Sequence, residues 1–227
     1  MRYNTLLFDA DGTLFDFKRS EREAVADTLA CHGVTVDENI IDSYSKINDS
    51  LWKKLELGEI KKSELKTHRF VLLAEKYGFV YDAEKVAATY AVELSNKSYL
   101  LDGALEICQN LSKVCRLYLI TNGFKYMQQR RFDQSPLVPF FNGVFISEEL
   151  GFEKPAVQYF DAVRSGIDSF DAKHTLIIGD SLSSDIRGGI NAGIDVCWFN
   201  AENADIPTDM NINYIISDLN ELYDIVK

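Results

Sequence analysis

Two aspartates, Asp9 and Asp11, close the apolar run Thr5-Leu6-Leu7-Phe8, and Gly12-Thr13 follow at once. A short run of large apolar residues predicts a buried strand, and the acids fall where that strand ends. Side chains two apart on an extended chain point the same way, so both carboxylates can share one site. Carboxylates held that close repel and shift each other's pKa until a cation or a proton intervenes. Gly12 then lets the backbone turn sharply away. The arrangement predicts metal-assisted chemistry.

Three further polar clusters stand where predicted strands or loops meet helices. Leu117–Ile120 runs into Thr121-Asn122-Gly123. Glu153-Lys154-Pro155 precedes a predicted helix, with Pro155 at a favoured first helical position. Thr175–Ile178 runs into Gly179-Asp180-Ser181, with Asp185 a few residues on. All four clusters would converge on one sheet edge. The chemistry they suggest is phosphoryl transfer through an aspartyl-phosphate, with a carboxylate as covalent nucleophile. Attack on an anionic phosphate needs charge neutralisation, and Asp9 with Asp180 are the natural carboxylates for a divalent metal. Mg2+ suits an all-oxygen set with phosphate as co-ligand. Thr121 and Asn122 can donate to phosphate oxygens, and Lys154 adds a compact positive charge. Asp11 is suited to protonate the leaving oxygen and then to deprotonate the attacking water.

These groups need a scaffold, and the spacing of apolar residues predicts one. After the first strand and a loop to Asp16, residues from about Lys18 to Lys97 carry helical spacing with no strand signal. Ser20 is expected to cap the first helix, with Glu21 and Glu23 in its first turn and Gly33 as its stop. Tyr44 and Trp52 read as apolar packing in this segment, and Arg69 as either a substrate contact or a helix ion pair. Beyond Asp102-Gly103 helices and strands alternate up to a last strand at Tyr214–Ile216. Alternation predicts an α/β fold: a doubly wound, Rossmann-like parallel sheet that binds ligands at the carboxyl ends of its strands. The expected organisation is a core of residues 1–17 and 98–227 with a helical cap, 18–97, inserted after the first strand.

The net charge of −11 and pI near 4.8 argue against a nucleic-acid polymer as partner. A small anionic substrate remains compatible, because one lysine and a metal ion reverse the local field. No apolar run approaches the roughly 20 residues that span a bilayer, so no membrane is expected. Cys31, Cys108, Cys115 and Cys197 show neither CxxC spacing nor a Cys/His cluster, which argues against structural zinc and favours reduced thiols in a cytoplasmic protein. The opening residues do not read as a signal peptide. Nothing in the sequence fixes monomer or dimer.

The set Asp9-x-Asp11-Gly12-Thr13-Leu14, Thr121-Asn122-Gly123, Lys154-Pro155 and Gly179-Asp180-Ser181-x-x-x-Asp185 resembles the four motifs of the haloacid dehalogenase (HAD)-like hydrolase superfamily. The resemblance implies an HAD-like core with a small helical cap, Asp9 as nucleophile and Asp11 as general acid/base. It implies that Asp9, the backbone carbonyl of Asp11 and Asp180 hold Mg2+, with Asp185 in support, and that Thr121, Asn122 and Lys154 bind the transferred phosphate. An acid two residues after the nucleophile implies a phosphatase and not a dehalogenase. Phe15-Asp16-Phe17, the stretch Gly179–Gly193 and the cap residues Asn48, Leu51, Trp52, Gly58 and Arg69 are most similar to the bacterial house-cleaning pyrimidine 5′-nucleotidases. The implied substrate is a pyrimidine nucleoside 5′-monophosphate. Alternatives are a sugar-phosphate or phosphoglycolate phosphatase, or a phosphomutase like β-phosphoglucomutase.

Overall fold

The computed structural model describes residues 2–227 and divides the chain into two compact units. One comprises the chain up to Asp16 together with Tyr99–Lys227; the other is Phe17–Ser98.

The first unit is built on six strands: β1 (Thr5–Asp9), β2 (Arg116–Thr121), β3 (Gly143–Ile146), β4 (Thr175–Gly179), β5 (Asp195–Phe199) and β6 (Tyr214–Ile216). All pair in parallel, in the order β3-β2-β1-β4-β5-β6. That is the doubly wound α/β arrangement, and its order reverses between β1 and β4, where such sheets open a crevice at the carboxyl ends. Strand alternation divides the core into two apolar layers. Leu6 and Phe8 pack with Ile107, Leu119, Ile178 and Leu222 on one face, and Leu7 packs with Ile120, Tyr159, Ile177 and Val196 on the other. Helices α5 (Ala104–Leu111) and α10 (Leu222–Val226) supply the first layer, α8 (Val157–Ser165) and α9 (Arg187–Ala192) the second. α6 (Lys125–Asp133) and the single turn α7 (Ser147–Leu150) follow β2 and β3. Pro155 lies outside α8, behind an extended Ala156 and after a cis peptide bond, and so does not occupy the first helical position expected of it.

The chain leaves this unit and returns to it along a short stem. Asp16 N donates to Tyr99 O at 2.9 Å, Leu101 N donates to Leu14 O at 2.9 Å, and Phe15 pairs antiparallel with Leu100.

The second unit is four helices: α1 (Phe17–Cys31), α2 (Glu38–Glu56), α3 (Lys62–Tyr77) and α4 (Ala83–Ser95). Asp37 and Asp82 cap α2 and α4 through their side chains. Tyr44, Phe70 and Tyr90 meet in a ring cluster with centroids 5.3 to 5.5 Å apart. α1 starts three residues before the expected cap, so Ser20 and Glu21 sit inside the helix and both are buried. Glu21 belongs to a polar network in the helical interior. Glu21 accepts from Ser45 Oγ and Asn48 Nδ2, each at 2.7 Å, while Arg69 Nη1 donates to Asn48 Oδ1 at 3.1 Å. The Arg69 guanidinium also lies 4.5 Å from the Tyr90 ring centroid.

Burial pushes the Glu21 carboxyl up from its ordinary 4.5 to about 7, with Asp49 adding to the shift and Ser45, Arg69 and Asn48 opposing it. Between those two values the folded chain holds a proton that the unfolded chain has released, so stability falls as pH rises and levels off above 7. Replacing Glu21 by Gln is expected to remove this slope. Urea denaturation from pH 4.5 to 8 should find the wild type losing about 1–3 kcal/mol more than Glu21→Gln across that window. Parallel curves for the two proteins would contradict this assignment.

Candidate active site

The carboxyl ends of β1, β2 and β4 carry a dense group of charges around one lysine. Asp9 is the last residue of β1, and its Oδ1 accepts from Lys154 Nζ at 2.5 Å. The same ammonium donates to Asp185 Oδ1 at 2.6 Å and to the Ile120 carbonyl at 3.3 Å. Lys154 is 2% exposed, Asp185 1% and Asp9 7%. Burial alone would favour a neutral lysine, but Asp185 and Asp9 outweigh it and its pKa is raised. Burial and the Asp185 charge push the Asp9 carboxyl well above the usual range, against the opposing pull of Lys154.

Asp180 follows β4 and completes the group. Asp9, Asp180 and Asp185 each offer an oxygen within 4.8 Å of the others. Asp180 keeps surface in contact with solvent, yet the protein packed around its carboxyl and the Asp185 charge push its pKa up to about 7. Fully ionised, the three carboxylates would exceed the one ammonium by two charges, and that mutual repulsion adds to burial in raising the Asp9 and Asp180 pKa values; an oxygen set of this kind could hold a divalent cation. Two glycines make the crowding possible. A Cβ on Gly12, whose φ is +85°, would lie 2.5 Å from Asp180 Oδ2, and one on Gly179 would lie 2.4 Å from Asp185 Cγ. Thr13 Oγ1 reaches Asp180 Oδ1 at 3.4 Å, and Trp198 Nε1 donates to the Asp180 carbonyl at 2.9 Å.

Thr121 and Asn122 lie beside this group with different tasks. Thr121 Oγ1 accepts from Gly123 N at 3.0 Å, which leaves the hydroxyl its own proton to donate. Thr121 N donates to the buried Tyr159 hydroxyl at 3.1 Å, and that hydroxyl donates to the Phe145 carbonyl at 2.8 Å. Asn122 holds the backbone of Lys154 from both sides: Nδ2 donates to Lys154 O and Oδ1 accepts from Lys154 N, both at 2.8 Å. Its carboxamide, expected from the sequence to face phosphate, grips the loop that carries the lysine. Asp185 is engaged on both oxygens, by Lys154 and by Ser181 N at 3.2 Å.

Asp11 departs from the lysine-centred group. Its Oδ1 accepts from Arg131 Nη1 at 2.5 Å and its Oδ2 accepts from Gln128 Nε2. Neither partner was singled out in the sequence. The available signal was two polar residues three apart on the helix directly after Thr121-Asn122-Gly123, on a face that also carries Met127 and Phe132.

Comparison with known proteins agrees with this architecture. The sequence profile of haloacid dehalogenase-like hydrolases matches residues 3–193. The chain is 38% identical over 226 residues to the HAD-hydrolase YfnB of Bacillus subtilis, covering 100% of this chain and 96% of that protein. The crystal structure of YfnB bound to magnesium superposes with a TM-score of 0.96 over the full length of both chains. The pyrimidine 5′-nucleotidase PynA of Streptococcus pneumoniae is 39% identical, covering 99% of this chain and 95% of PynA. The pyrimidine 5′-nucleotidase YjjG of Escherichia coli is 30% identical, covering 98% and 97%. The chain therefore belongs to the haloacid dehalogenase-like hydrolase family. Within it the chain is an enzyme of the phosphatase class. Among the described residues no helix is long and apolar enough to cross a membrane.

The buried lysine yields a stability prediction that is independent of turnover. Lys154→Met strands the Asp9 and Asp185 carboxylates without their cation and is expected to cost about 3–5 kcal/mol in urea denaturation. A cost below about 1 kcal/mol would mean that the lysine does not hold this sheet end together.

Proposed function

We propose that this protein is a Mg2+-dependent phosphomonoesterase that works through an aspartyl-phosphate and takes pyrimidine nucleoside 5′-monophosphates. The observation that carries the reading is the buried Asp9, oriented on one oxygen by Lys154 at the carboxyl end of β1. In the first step a carboxylate oxygen of Asp9 forms a bond to phosphorus while the bond to the leaving oxygen breaks. Asp11 gives its proton to that oxygen. In the second step Asp11, now a carboxylate, takes a proton from water, whose oxygen bonds to phosphorus and releases inorganic phosphate and Asp9. Thr121 Oγ1 donates to a phosphoryl oxygen and the Lys154 ammonium supplies positive charge beside the phosphoryl group, while Asn122 and Asp185 keep the lysine in place.

The donor set fits Mg2+: all ligands are oxygens, and the carboxylates exceed the one ammonium by two charges. Asp9 and Asp180 would hold the ion, with the Asp11 backbone carbonyl implied by family resemblance, and Asp185 in support because both its oxygens are engaged. When bound, Mg2+ supplies positive charge against the phosphoryl oxygens. The leaving-group class rests on PynA and YjjG, which are named pyrimidine 5′-nucleotidases.

Phosphate release should be screened across nucleoside monophosphates, sugar phosphates and phosphoglycolate. The expected result is a preference of about tenfold or more in kcat/KM for pyrimidine monophosphates, a difference of about 1.4 kcal/mol in the transition state. Activity confined to sugar phosphates would overturn the nucleotide reading and leave the phosphatase. Asp9→Asn should lower turnover by about 1000-fold or more with the melting temperature retained. Mg2+ should raise the melting temperature of the wild type, and much less that of Asp180→Asn.

A further inference from the structure

Asp11 is held from α6 by two side chains that the four motifs do not contain. Arg131 Nη1 takes Oδ1 at 2.5 Å and Gln128 Nε2 takes Oδ2, so both carboxylate oxygens are engaged. The donors are three residues apart, on one face of the helix, and that face is buried. Arg131 is fully enclosed, with its guanidinium 5.0 Å from the Phe15 ring centroid. Gln128 Oε1 is buried with no hydrogen-bond partner among the described residues. A carboxamide placed there at the cost of an unpaired carbonyl is explained by its donor end, which meets Asp11. Gly123 makes the same point from the other side. A Cβ at that position would lie 2.2 Å from Gln128 Nε2, so the glycine after Thr121-Asn122 opens the path by which Gln128 reaches the acid.

A carboxylate gripped on both oxygens cannot swing about its side-chain bonds, and proton delivery is sensitive to misplacement by fractions of an ångström. We propose that Arg131 and Gln128 are positioning residues that fix the direction of the Asp11 carboxyl and thereby govern departure of the leaving group. They act through Asp11 and not on the binding of phosphate. The proposal rests on the acid–base role proposed above for Asp11.

The test compares kcat/KM, which covers the steps up to departure of the leaving group, for esters of different leaving ability. Uridine 5′-monophosphate and glucose 6-phosphate release alkoxide-like oxygens that need a proton; p-nitrophenyl phosphate releases a stable phenolate that needs little help. Gln128→Leu and Arg131→Met are expected to lose about 30-fold or more on whichever alkyl ester the wild type turns over, and about threefold or less on p-nitrophenyl phosphate. Arg131→Lys should recover part of the loss. Adding Gln128→Leu to Asp11→Asn should cost almost nothing further, because the residue it positions is already gone. Circular dichroism and thermal melting check folding, and if Arg131→Met does not fold, Gln128→Leu and its combination with Asp11→Asn decide the matter. Equal losses on both ester types, or additive losses with Asp11→Asn, would overturn the proposal while leaving Asp11 as the acid. Wild-type kcat/KM on the alkyl ester in Asp11→Asn alone would overturn the acid–base reading itself, and the positioning role with it.

Discussion

One ammonium group organises the carboxyl end of this sheet. Lys154 Nζ stands between Asp9 on β1 and Asp185 after β4, inside the protein and against the Ile120 carbonyl of β2. Enclosing charges in this way is expensive, since each ion gives up its water for a single partner geometry. The sheet supports that cost from below. Leu7, Ile120 and Ile177 lie one to three positions before the polar residues at the strand ends and pack with Tyr159 and Val196 in one continuous layer. The lysine is fixed in turn through its own backbone, which Asn122 holds at both the N–H and the carbonyl. Charge, loop and strand ends thus form one interdependent assembly.

Close approach is the second constraint, and it explains residues that have no chemistry of their own. Gly12 stands where Asp180 must come within bonding range of the β1 loop, Gly179 where Asp185 must fold back over β4, and Gly123 where Gln128 must pass. In each case the missing side chain is the space a functional side chain occupies.

How much of this the sequence disclosed depends on whether the signal was local. The apolar runs ending in Asp9, Thr121 and Gly179 marked strands and their polar ends together, because a buried parallel strand is recognisable from its own residues. The alternation after Asp102 was enough to define the α/β class. The start of α1 was not legible: Ser20 and Glu21 look like a cap and a first turn, but Ser45 and Asn48 on another helix bond Glu21 from the interior, and Arg69 holds Asn48 in place. Gln128 and Arg131 were hidden for the same reason. On a helix rich in polar residues nothing local distinguishes the pair that meets Asp11 from those that meet solvent. The second role of Asn122 depends on Lys154, more than thirty positions away.

The stem at which Phe17–Ser98 joins the α/β unit has an architectural consequence. Departure and return lie side by side, tied by the Asp16–Tyr99 and Leu14–Leu101 backbone bonds and the Phe15–Leu100 pairing. An interruption closed at its base asks little of the host, because neither sheet register nor strand order depends on what lies beyond the closure. The stem is a socket. Helical inserts of quite different length or composition could be grafted onto it while the charged cluster around Lys154, drawn wholly from the α/β unit, stays as it is. Diversification of the insert and preservation of the chemistry are therefore separable by construction.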